Sequence, residues 1–253
     1  MKQTIIAVVN QKGGVGKTTS TINVAAELAT SGKTVLLIDL DPQGNASSGL
    51  GILKEHIRTT AYEFLGGAVD LAHALHETNV AQLFIIPSTA NLAGAEVELV
   101  NQPNREFALK TALASASFDY IFIDCPPSLG LLTINALTAA DQVLIPVQAE
   151  YYALEGLSQL LNTIQAVRAS TNPNLELLGL AVTMFDKRNS LSEQVMAEVA
   201  QYFGEKLFKT VIPRNVRLAE APSYGKTIYE HDKWSKGARA YKSLAKEVRQ
   251  RTS

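Results

Sequence analysis

Thr4-Ile-Ile-Ala-Val-Val-Asn-Gln-Lys-Gly-Gly-Val-Gly-Lys-Thr-Thr19 is the stretch that decides the fold of this chain. It opens with a nearly continuous apolar, β-branched run, which is typical of a strand buried on both faces of a parallel sheet. The glycines that follow let backbone N–H groups converge, and a helix beginning there adds the positive end of its dipole. A strand, a glycine-rich loop and a helix in this order predict a phosphate-binding site.

Short apolar runs of the same kind recur along the chain and alternate with stretches of helical periodicity. This alternation predicts an α/β fold with a mostly parallel β-sheet and helices on both faces. A length of 253 residues, without a linker-like segment or an internal repeat, favours one domain covering 1–253. The predicted strands are 4–9, 34–38, 83–86, 120–123, 142–147 and 177–183, and the predicted helices are 18–31, 105–115, 129–139, 154–169 and 191–203.

The composition indicates an ordinary globular protein, with 46% apolar and 19% charged residues. The single cysteine, Cys125, excludes an internal disulfide and a multi-thiolate metal site within one chain. The apolar run near the N-terminus is too short for a secretory signal or a membrane span. We therefore expect a cytoplasmic protein.

The glycine-rich loop contains the residue types that bind a nucleoside triphosphate. Lys17 is expected to reach the β- and γ-phosphates, and the Thr18 hydroxyl is expected to ligate Mg²⁺. The loop departs from the usual G-x-x-x-x-G-K-T pattern because Gln11 occupies the first glycine position. The additional Lys12 is either a solvated side chain or a cation that stabilises the triphosphate, in its own site or across a dimer interface. The expected nucleotide-binding residues of the loop are Lys12, Gly13, Gly14, Val15, Gly16, Lys17, Thr18 and Thr19.

Acidic residues follow two other predicted strands. Asp39 and Asp41 come after one of them, and Asp124 comes after another. Ligands bind beyond the carboxyl ends of the strands in an open parallel sheet, so these carboxylates should converge near the loop. Asp124 is expected to hold Mg²⁺ through water, Asp39 to lie behind the direct ligands, and Asp41 to orient the attacking water. For any one of them, capping a turn is the alternative.

The formal net charge of −1 hides two unlike regions. Residues 204–253 contain 12 Lys and Arg against 5 Asp and Glu, a net +7, whereas residues 1–203 carry a net −8. A basic C-terminal fifth indicates contact with a polyanion, and a solvated surface is the alternative.

A basic amphipathic helix is predicted at the C-terminal end. Its apolar stripe consists of Tyr241, Leu244, Ala245 and Val248. This stripe lacks the bulky apolar residues of a membrane-surface helix, so we expect it to pack on the protein's own core.

These motifs resemble those of the ParA/MinD superfamily of deviant-Walker ATPases. The resemblance rests on Lys12-Gly-Gly-Val-Gly-Lys-Thr-Thr, Asp39-Leu-Asp-Pro-Gln-Gly and Ile123-Asp-Cys-Pro-Pro. It extends over nearly the whole chain, and Ile212-Pro-Arg-Asn-Val-Arg and Gly237-Ala-Arg-Ala-Tyr are most similar to the short, Soj-like ParA partition ATPases. The resemblance implies a deviant P-loop NTPase fold that hydrolyses ATP with Mg²⁺.

Roles for individual residues in the nucleotide cycle follow from the resemblance. Lys12 would cross an ATP-dependent homodimer to the partner's phosphates, and Asp41 would act in hydrolysis. Pro213 and Asn215 would line the adenine pocket.

The resemblance also implies binding partners. The ATP-bound dimer would bind double-stranded DNA without sequence preference and associate with the nucleoid, with Arg188 and Arg217 at the DNA-contact positions. A ParB-like centromere-binding protein would stimulate hydrolysis, and no stable membrane association is expected. For each arginine, a surface position or a local carboxylate partner is the alternative.

The alternative functions are a MinD-like ATPase, an ATPase that positions another cargo such as a microcompartment, and a metabolic P-loop enzyme.

Overall fold

Seven strands form one sheet in the computed structural model, which describes residues 3–150 and 153–252. The order across the sheet is β3-β4-β2-β5-β1-β6-β7, and every neighbouring pair is parallel except β3 with β4. The predicted, mostly parallel sheet is confirmed, and only the two-residue β3 was missed, because so short a strand has no periodicity to detect. The strands are β1 (Thr4–Val8), β2 (Val35–Asp39), β3 (His76–Glu77), β4 (Leu83–Ile86), β5 (Tyr120–Asp124), β6 (Gln142–Gln148) and β7 (Glu176–Thr183).

Helices cover both faces of the sheet and include the five that the sequence predicted by range and the predicted C-terminal helix. The predicted helix 105–115 is shorter than expected. The Asn135 side chain accepts a hydrogen bond from the Leu109 N–H and donates one to the Arg105 carbonyl, and these bonds replace the one that a regular helical turn would form between Leu109 and Arg105. The α-helices within the described residues are α1 (Lys17–Thr30), α2 (Asn45–Gly49), α3 (Ala61–Leu65), α4 (Leu71–Ala74), α5 (Leu92–Leu99), α6 (Ala108–Ala112), α7 (Leu131–Ala139), α8 (Ala153–Ser170), α9 (Ser190–Phe203), α10 (Val216–Glu220), α11 (Ile228–Asp232) and α12 (Lys236–Arg251).

Two buried apolar clusters lie on opposite faces of the sheet. Along β1, Ile6 and Val8 belong to the cluster that contains α1 and α12, whereas Ala7 belongs to the cluster that contains α7, α8 and α9. The strands are buried on both faces, which explains why their sequences are nearly continuous apolar runs rather than alternating ones.

The last helix, α12, packs on α1 through its apolar stripe. Tyr241, Leu244 and Val248 are buried, and the Tyr241 hydroxyl lies 3.1 Å from Ser20 Oγ on α1. The predicted packing on the protein's own core is confirmed. Within the two described ranges, no helix has both the length and the apolar character needed to cross a membrane.

A close backbone contact joins the end of α2 to the segment before α11. Gly51 and Gly225 both have positive φ angles, +77° and +60°, and a Cβ on Gly225 would lie 2.6 Å from Gly51 Cα. Only glycine at both positions permits this approach without strain. The contact holds the turn between α10 and α11 against the segment that follows α2.

We expect Gly225→Ala to destabilise the protein by more than the cost of its positive φ angle. A side chain in the left-handed region costs about 1–2 kcal/mol, and the collision with Gly51 adds roughly 1 kcal/mol or more. Urea denaturation measures the free energy of unfolding. Gly67→Ala is the matched control, because Gly67 has a φ of +72° and a Cβ added there would meet nothing within 4 Å. Equal losses in the two variants would contradict the importance of the close contact.

Candidate nucleotide site and its surroundings

The glycine-rich loop between β1 and α1 is shaped to surround an anion. Gly14 and Gly16 have φ angles of +73° and +84°, and a Cβ on Gly13 or Gly14 would meet nothing within 4 Å. The loop therefore presents bare backbone to open space, as a phosphate cradle requires. The buried Lys17 begins α1, and its Nζ donates to the Lys12 carbonyl oxygen at 3.2 Å.

Neighbouring strands hold this loop in place. Asn10 Nδ2 donates to the Pro146 carbonyl of β6 at 2.7 Å, and Asn10 Oδ1 accepts from the Lys12 N–H at 3.0 Å. Thr183 Oγ1, at the end of β7, donates to the Val15 carbonyl at 2.8 Å. The loop conformation is therefore preorganised by hydrogen bonds from the strands on one side of β1.

Asp39 and Asp124 lie side by side at the carboxyl edge of the sheet, where β2 and β5 pair in register. Both residues are fully buried. Asp39 Oδ2 accepts from the Ser47 N–H at 2.8 Å and from its hydroxyl at 2.7 Å, and Asp124 Oδ1 accepts from Thr21 Oγ1 at 3.0 Å. Burial raises the pKa of both carboxyls, and the charge of Asp39 raises the pKa of Asp124 further.

The second carboxylate oxygen of Asp124 supports the prediction of a magnesium site. Asp124 Oδ2 is buried and has no hydrogen-bond partner. The described residues contain no group of three or more His, Cys, Asp or Glu side chains that would hold a metal ion. An ion here would thus rely on phosphate oxygens, water and a few protein oxygens, which is how Mg²⁺ usually binds with nucleotides. Asp124 and the Thr18 hydroxyl fit that requirement.

Asp41 lies just beyond β2 and is nearly buried. Its Oδ1 accepts from the Gln43 N–H at 3.0 Å. Burial lowers the pKa of Lys17, and the nearby charges of Asp124 and Asp41 act in the opposite direction. The structure thus places both carboxylates within electrostatic reach of the loop lysine.

Lys12 is the lysine that distinguishes this loop, and its Nζ forms an ion pair with Glu150 Oε2 at 3.0 Å. Gln148 Nε2 donates to the other oxygen of the same carboxylate at 2.6 Å. In the single chain, Lys12 therefore points to a residue just beyond the end of β6 and is only half-buried. Glu150 was missed from the sequence, because no motif marks it.

A cavity of 370 Å³ opens beside the loop and contains the two residues assigned to adenine. Asn215 Oδ1 is buried there without a hydrogen-bond partner, so it can accept a hydrogen bond from a ligand. The lining residues include Gly16, Thr19, Thr183, Met184, Pro213, Asn215, Leu218, Pro222 and Tyr241.

The two arginines assigned to DNA are exposed and also have local carboxylate partners. The Arg188 side chain is 90% exposed and contacts both oxygens of Asp186, at 3.0 and 2.8 Å, which holds the Asp186 pKa at about 2. The Arg217 side chain is 55% exposed and donates to Glu220 Oε2 at 2.8 Å, with Asp232 3.7 Å from its Nε. The structure thus shows, for each arginine, the surface position and local carboxylate partner that were the alternative to DNA contact, and the DNA contact itself stays a prediction.

Two further polar residues support the site and were missed from the sequence. Thr21 lies four residues after Lys17, so helical periodicity places it toward Asp124 and could have revealed it. Ser47 binds Asp39 and accepts from the Ser88 N–H at 2.9 Å. No sequence motif indicates that contact, since it joins α2 to the loop after β4.

Comparison with known proteins places this geometry in a family. A family model described as an AAA domain matches residues 3–177. The sporulation initiation inhibitor protein Soj of Bacillus subtilis is 57% identical over 246 residues, covering 96% of this chain and 97% of that protein. The chromosome partitioning protein ParA of Myxococcus xanthus is 55% identical over 249 residues, covering 98% and 88%. The chain belongs to the ParA/Soj family of ATPases.

A solved structure supports the ParA/Soj assignment at the level of the fold. The cobyrinic acid a,c-diamide synthase of Mycobacterium smegmatis, crystallised with a bound ATP analogue and magnesium, superposes with a TM-score of 0.85 at 40% identity. The match covers 97% of this chain and 93% of that one. The predicted family and fold are therefore confirmed.

For this ParA/Soj protein we expect Asp124→Asn to stabilise the nucleotide-free chain at neutral and alkaline pH. The unfolded Asp124 carboxyl loses its proton near pH 4, whereas the folded one retains it to higher pH. The free energy of unfolding of the wild type therefore falls as the pH rises from the pKa of the unfolded Asp124 carboxyl to that of the folded one. The variant has no ionisable group at this position, so its free energy of unfolding does not fall in this way. Urea denaturation without nucleotide should show a gain of about 1–3 kcal/mol near pH 8 and little near pH 4.5.

Asp119→Asn is the control at the other end of the same strand. Asp119 Oδ2 accepts from the Thr34 N–H at 2.9 Å, and this hydrogen bond lowers the Asp119 pKa. That variant should be less stable than wild type near pH 8, with the difference shrinking in acid. The same sign for both variants would contradict the electrostatic account.

Proposed function

We propose that this protein is an ATP-driven switch for chromosome or plasmid partition. ATP pairs two copies, the pair binds duplex DNA without sequence preference and associates with the nucleoid, and hydrolysis releases it. A ParB-like, centromere-bound partner accelerates the release. The single observation that carries the proposal is the position of α10, which follows Asn215 at the cavity and presents Arg217 on the surface.

ATP hydrolysis with ATP and Mg²⁺ as cofactors is the established part of this function. The chain belongs to the ParA/Soj ATPases, and similar structures contain nucleotide and magnesium, which confirms the predicted activity and cofactors. The remaining steps are proposals that rest on the described geometry.

The phosphates bind at the glycine-rich loop in our proposal. Backbone N–H groups of Gly13, Gly14 and Gly16 surround them, and Lys17 reaches the β- and γ-phosphates. Lys12 exchanges Glu150 for the phosphates of the partner subunit when two copies pair. The exchange is favourable because a triphosphate offers more negative charge than one half-exposed carboxylate.

Hydrolysis requires an oriented water and stabilisation of charge on the transferred phosphoryl group. Asp41 orients the water, and Lys12 and Lys17 stabilise the developing negative charge. Thr18 and Asp124 would hold Mg²⁺, with Asp39 behind these ligands, and the ion would supply neutralisation of negative charge on the phosphates.

Adenine occupies the 370 Å³ cavity in this proposal, against Pro213 and Asn215. The unpartnered Asn215 Oδ1 accepts from the exocyclic amino group of adenine. Because a guanine base presents a carbonyl at that position, the same oxygen would disfavour GTP. Adenine bound in this cavity would contact Asn215, the residue directly before α10.

We expect Asp41→Ala to bind ATP and to form the DNA-bound dimer but to hydrolyse ATP at least ~100-fold more slowly, because the water is no longer oriented. Phosphate release measures the hydrolysis, and size-exclusion chromatography with light scattering measures the dimer.

Lys17→Ala is the control for nucleotide binding itself and should abolish it, since the triphosphate loses its principal cation. An Asp41→Ala protein that binds ATP but forms no dimer would show that Asp41 has a different role.

We expect Arg217→Glu to weaken binding of ATP-loaded protein to random-sequence duplex DNA at least ~10-fold, because a phosphate contact becomes a repulsion. Arg188→Glu should act in the same way. Fluorescence anisotropy with labelled DNA, with and without ATP and at several salt concentrations, measures both affinity and salt dependence.

Glu220→Gln provides a matched variant with the opposite expected sign. It removes the carboxylate 2.8 Å from Arg217 without changing size, so the freed guanidinium should bind DNA more tightly. Unchanged affinity in Arg217→Glu, or binding that does not depend on ATP, would overturn the DNA-switch proposal.

A further inference from the structure

The most exposed large apolar side chain among the described residues is a tryptophan. Trp234 is 78% exposed and lies between α11 and α12, directly before the N-cap residue Ser235. An indole ring in water sacrifices a large area of apolar burial, and tryptophan is enriched at binding interfaces. No step of the nucleotide cycle uses it.

The surroundings of Trp234 contain lysines as well as acidic residues and adjoin Arg217, and the Trp234 N–H donates to Asp232 Oδ1 at 3.1 Å. The Lys233 ammonium lies 5.3 Å from the centre of the indole ring, and Lys236, the first residue of α12, is exposed. Asp232, two residues before the tryptophan, lies 3.7 Å from Arg217 Nε. An aromatic ring, two lysines and the arginine assigned to DNA thus occupy one region of the surface.

Charge and shape favour duplex DNA as the occupant over a membrane. The apolar stripe of α12 is already buried against α1, so the helix has no apolar face left to insert into lipid. One aromatic ring among cations matches a polyanion that also has an apolar sugar edge, and the region from residue 204 onward carries a net +7.

We propose that Trp234 is a DNA-contact residue that packs its indole ring against the deoxyribose edge of one strand. Lys233 leaves the ring to contact a flanking phosphate, and Lys236 contacts the next. This inference rests on the proposed function, since it extends the surface centred on Arg217. Sugars and phosphates are the same at every base pair, so the contact adds affinity without sequence preference.

The protein itself provides a probe for this contact, because Trp234 is the single tryptophan of the chain. Random-sequence duplex DNA is titrated into the full chain with ATP and Mg²⁺ while tryptophan emission and acrylamide quenching are recorded. We expect the emission to change and quenching by acrylamide to fall at least about twofold on DNA binding. Arg217→Glu should abolish both changes at the same DNA concentration.

Substitution distinguishes this apolar contact from a charge contact. Trp234→Ala should weaken DNA binding about 10-fold but leave the salt dependence unchanged, because no charge is removed. Arg217→Ala should instead reduce the salt slope by about 1. Trp234→Phe keeps an aromatic ring and should retain most of the affinity, which separates loss of contact from loss of folding.

Tyr202→Ala is the matched control, because Tyr202 is 76% exposed on α9, on the opposite face of the sheet. It should bind DNA as wild type does.

Suppose that DNA binding depends on ATP and on Arg217, but that Trp234 emission does not change and Trp234→Ala binds DNA as tightly as wild type. This inference is then wrong and the proposed function stands. A blue shift with anionic phosphatidylglycerol vesicles, and none with DNA, would likewise overturn it. Absence of ATP-dependent DNA binding in wild type would overturn both.

Discussion

Asp39 and Asp124 are held side by side away from solvent because β2 and β5 pair in register at the carboxyl edge of the sheet. Their proximity is costly, since each carboxylate is desolvated and the charge of each disfavours ionisation of the other. Hydrogen bonds from Ser47 and Thr21 offset part of that cost. The remaining cost favours positive charge nearby, and the loop lysine Lys17 supplies it, since its charge lowers the pKa of Asp124. A magnesium ion at this edge would act in the same direction.

The short helix α10 connects the chemistry of the cavity with the surface. It begins immediately after Asn215, which lines the cavity and has a buried, unpartnered oxygen, and it presents Arg217 to solvent. The glycine contact between residues 51 and 225 ties the following turn to the segment after α2, the helix that follows the loop containing Asp41. Packed segments therefore connect the phosphate-binding loop with the surface of α10. Movement of α10 would require a binding free energy that differs between the two nucleotide states.

Local carboxylates moderate the basic surface. Asp186 pairs with Arg188, and Glu220 and Asp232 lie beside Arg217, so in the proposed complex DNA phosphates would compete with carboxylates already in place. Under the proposal, such competition would make the contact of one chain weak and sensitive to salt. Two copies joined by ATP would add their contacts, and in this way a protein with a net charge of −1 would bind DNA in response to nucleotide.

The sequence by itself determined the layered α/β fold, the phosphate loop and the carboxylates at the strand ends. Continuous apolar strands, helical periodicity and a loop of fixed spacing are local signals, and a parallel sheet brings its strand ends together. The tertiary structure alone decided which partners each charged group has. Ser47 and Thr21 reach the buried carboxylates, Glu150 holds Lys12, and Trp234 lies beside the Arg217 surface. These contacts join segments that are distant along the chain, or loops without periodicity, so their physical origin is the packing of the sheet and helices rather than any local pattern.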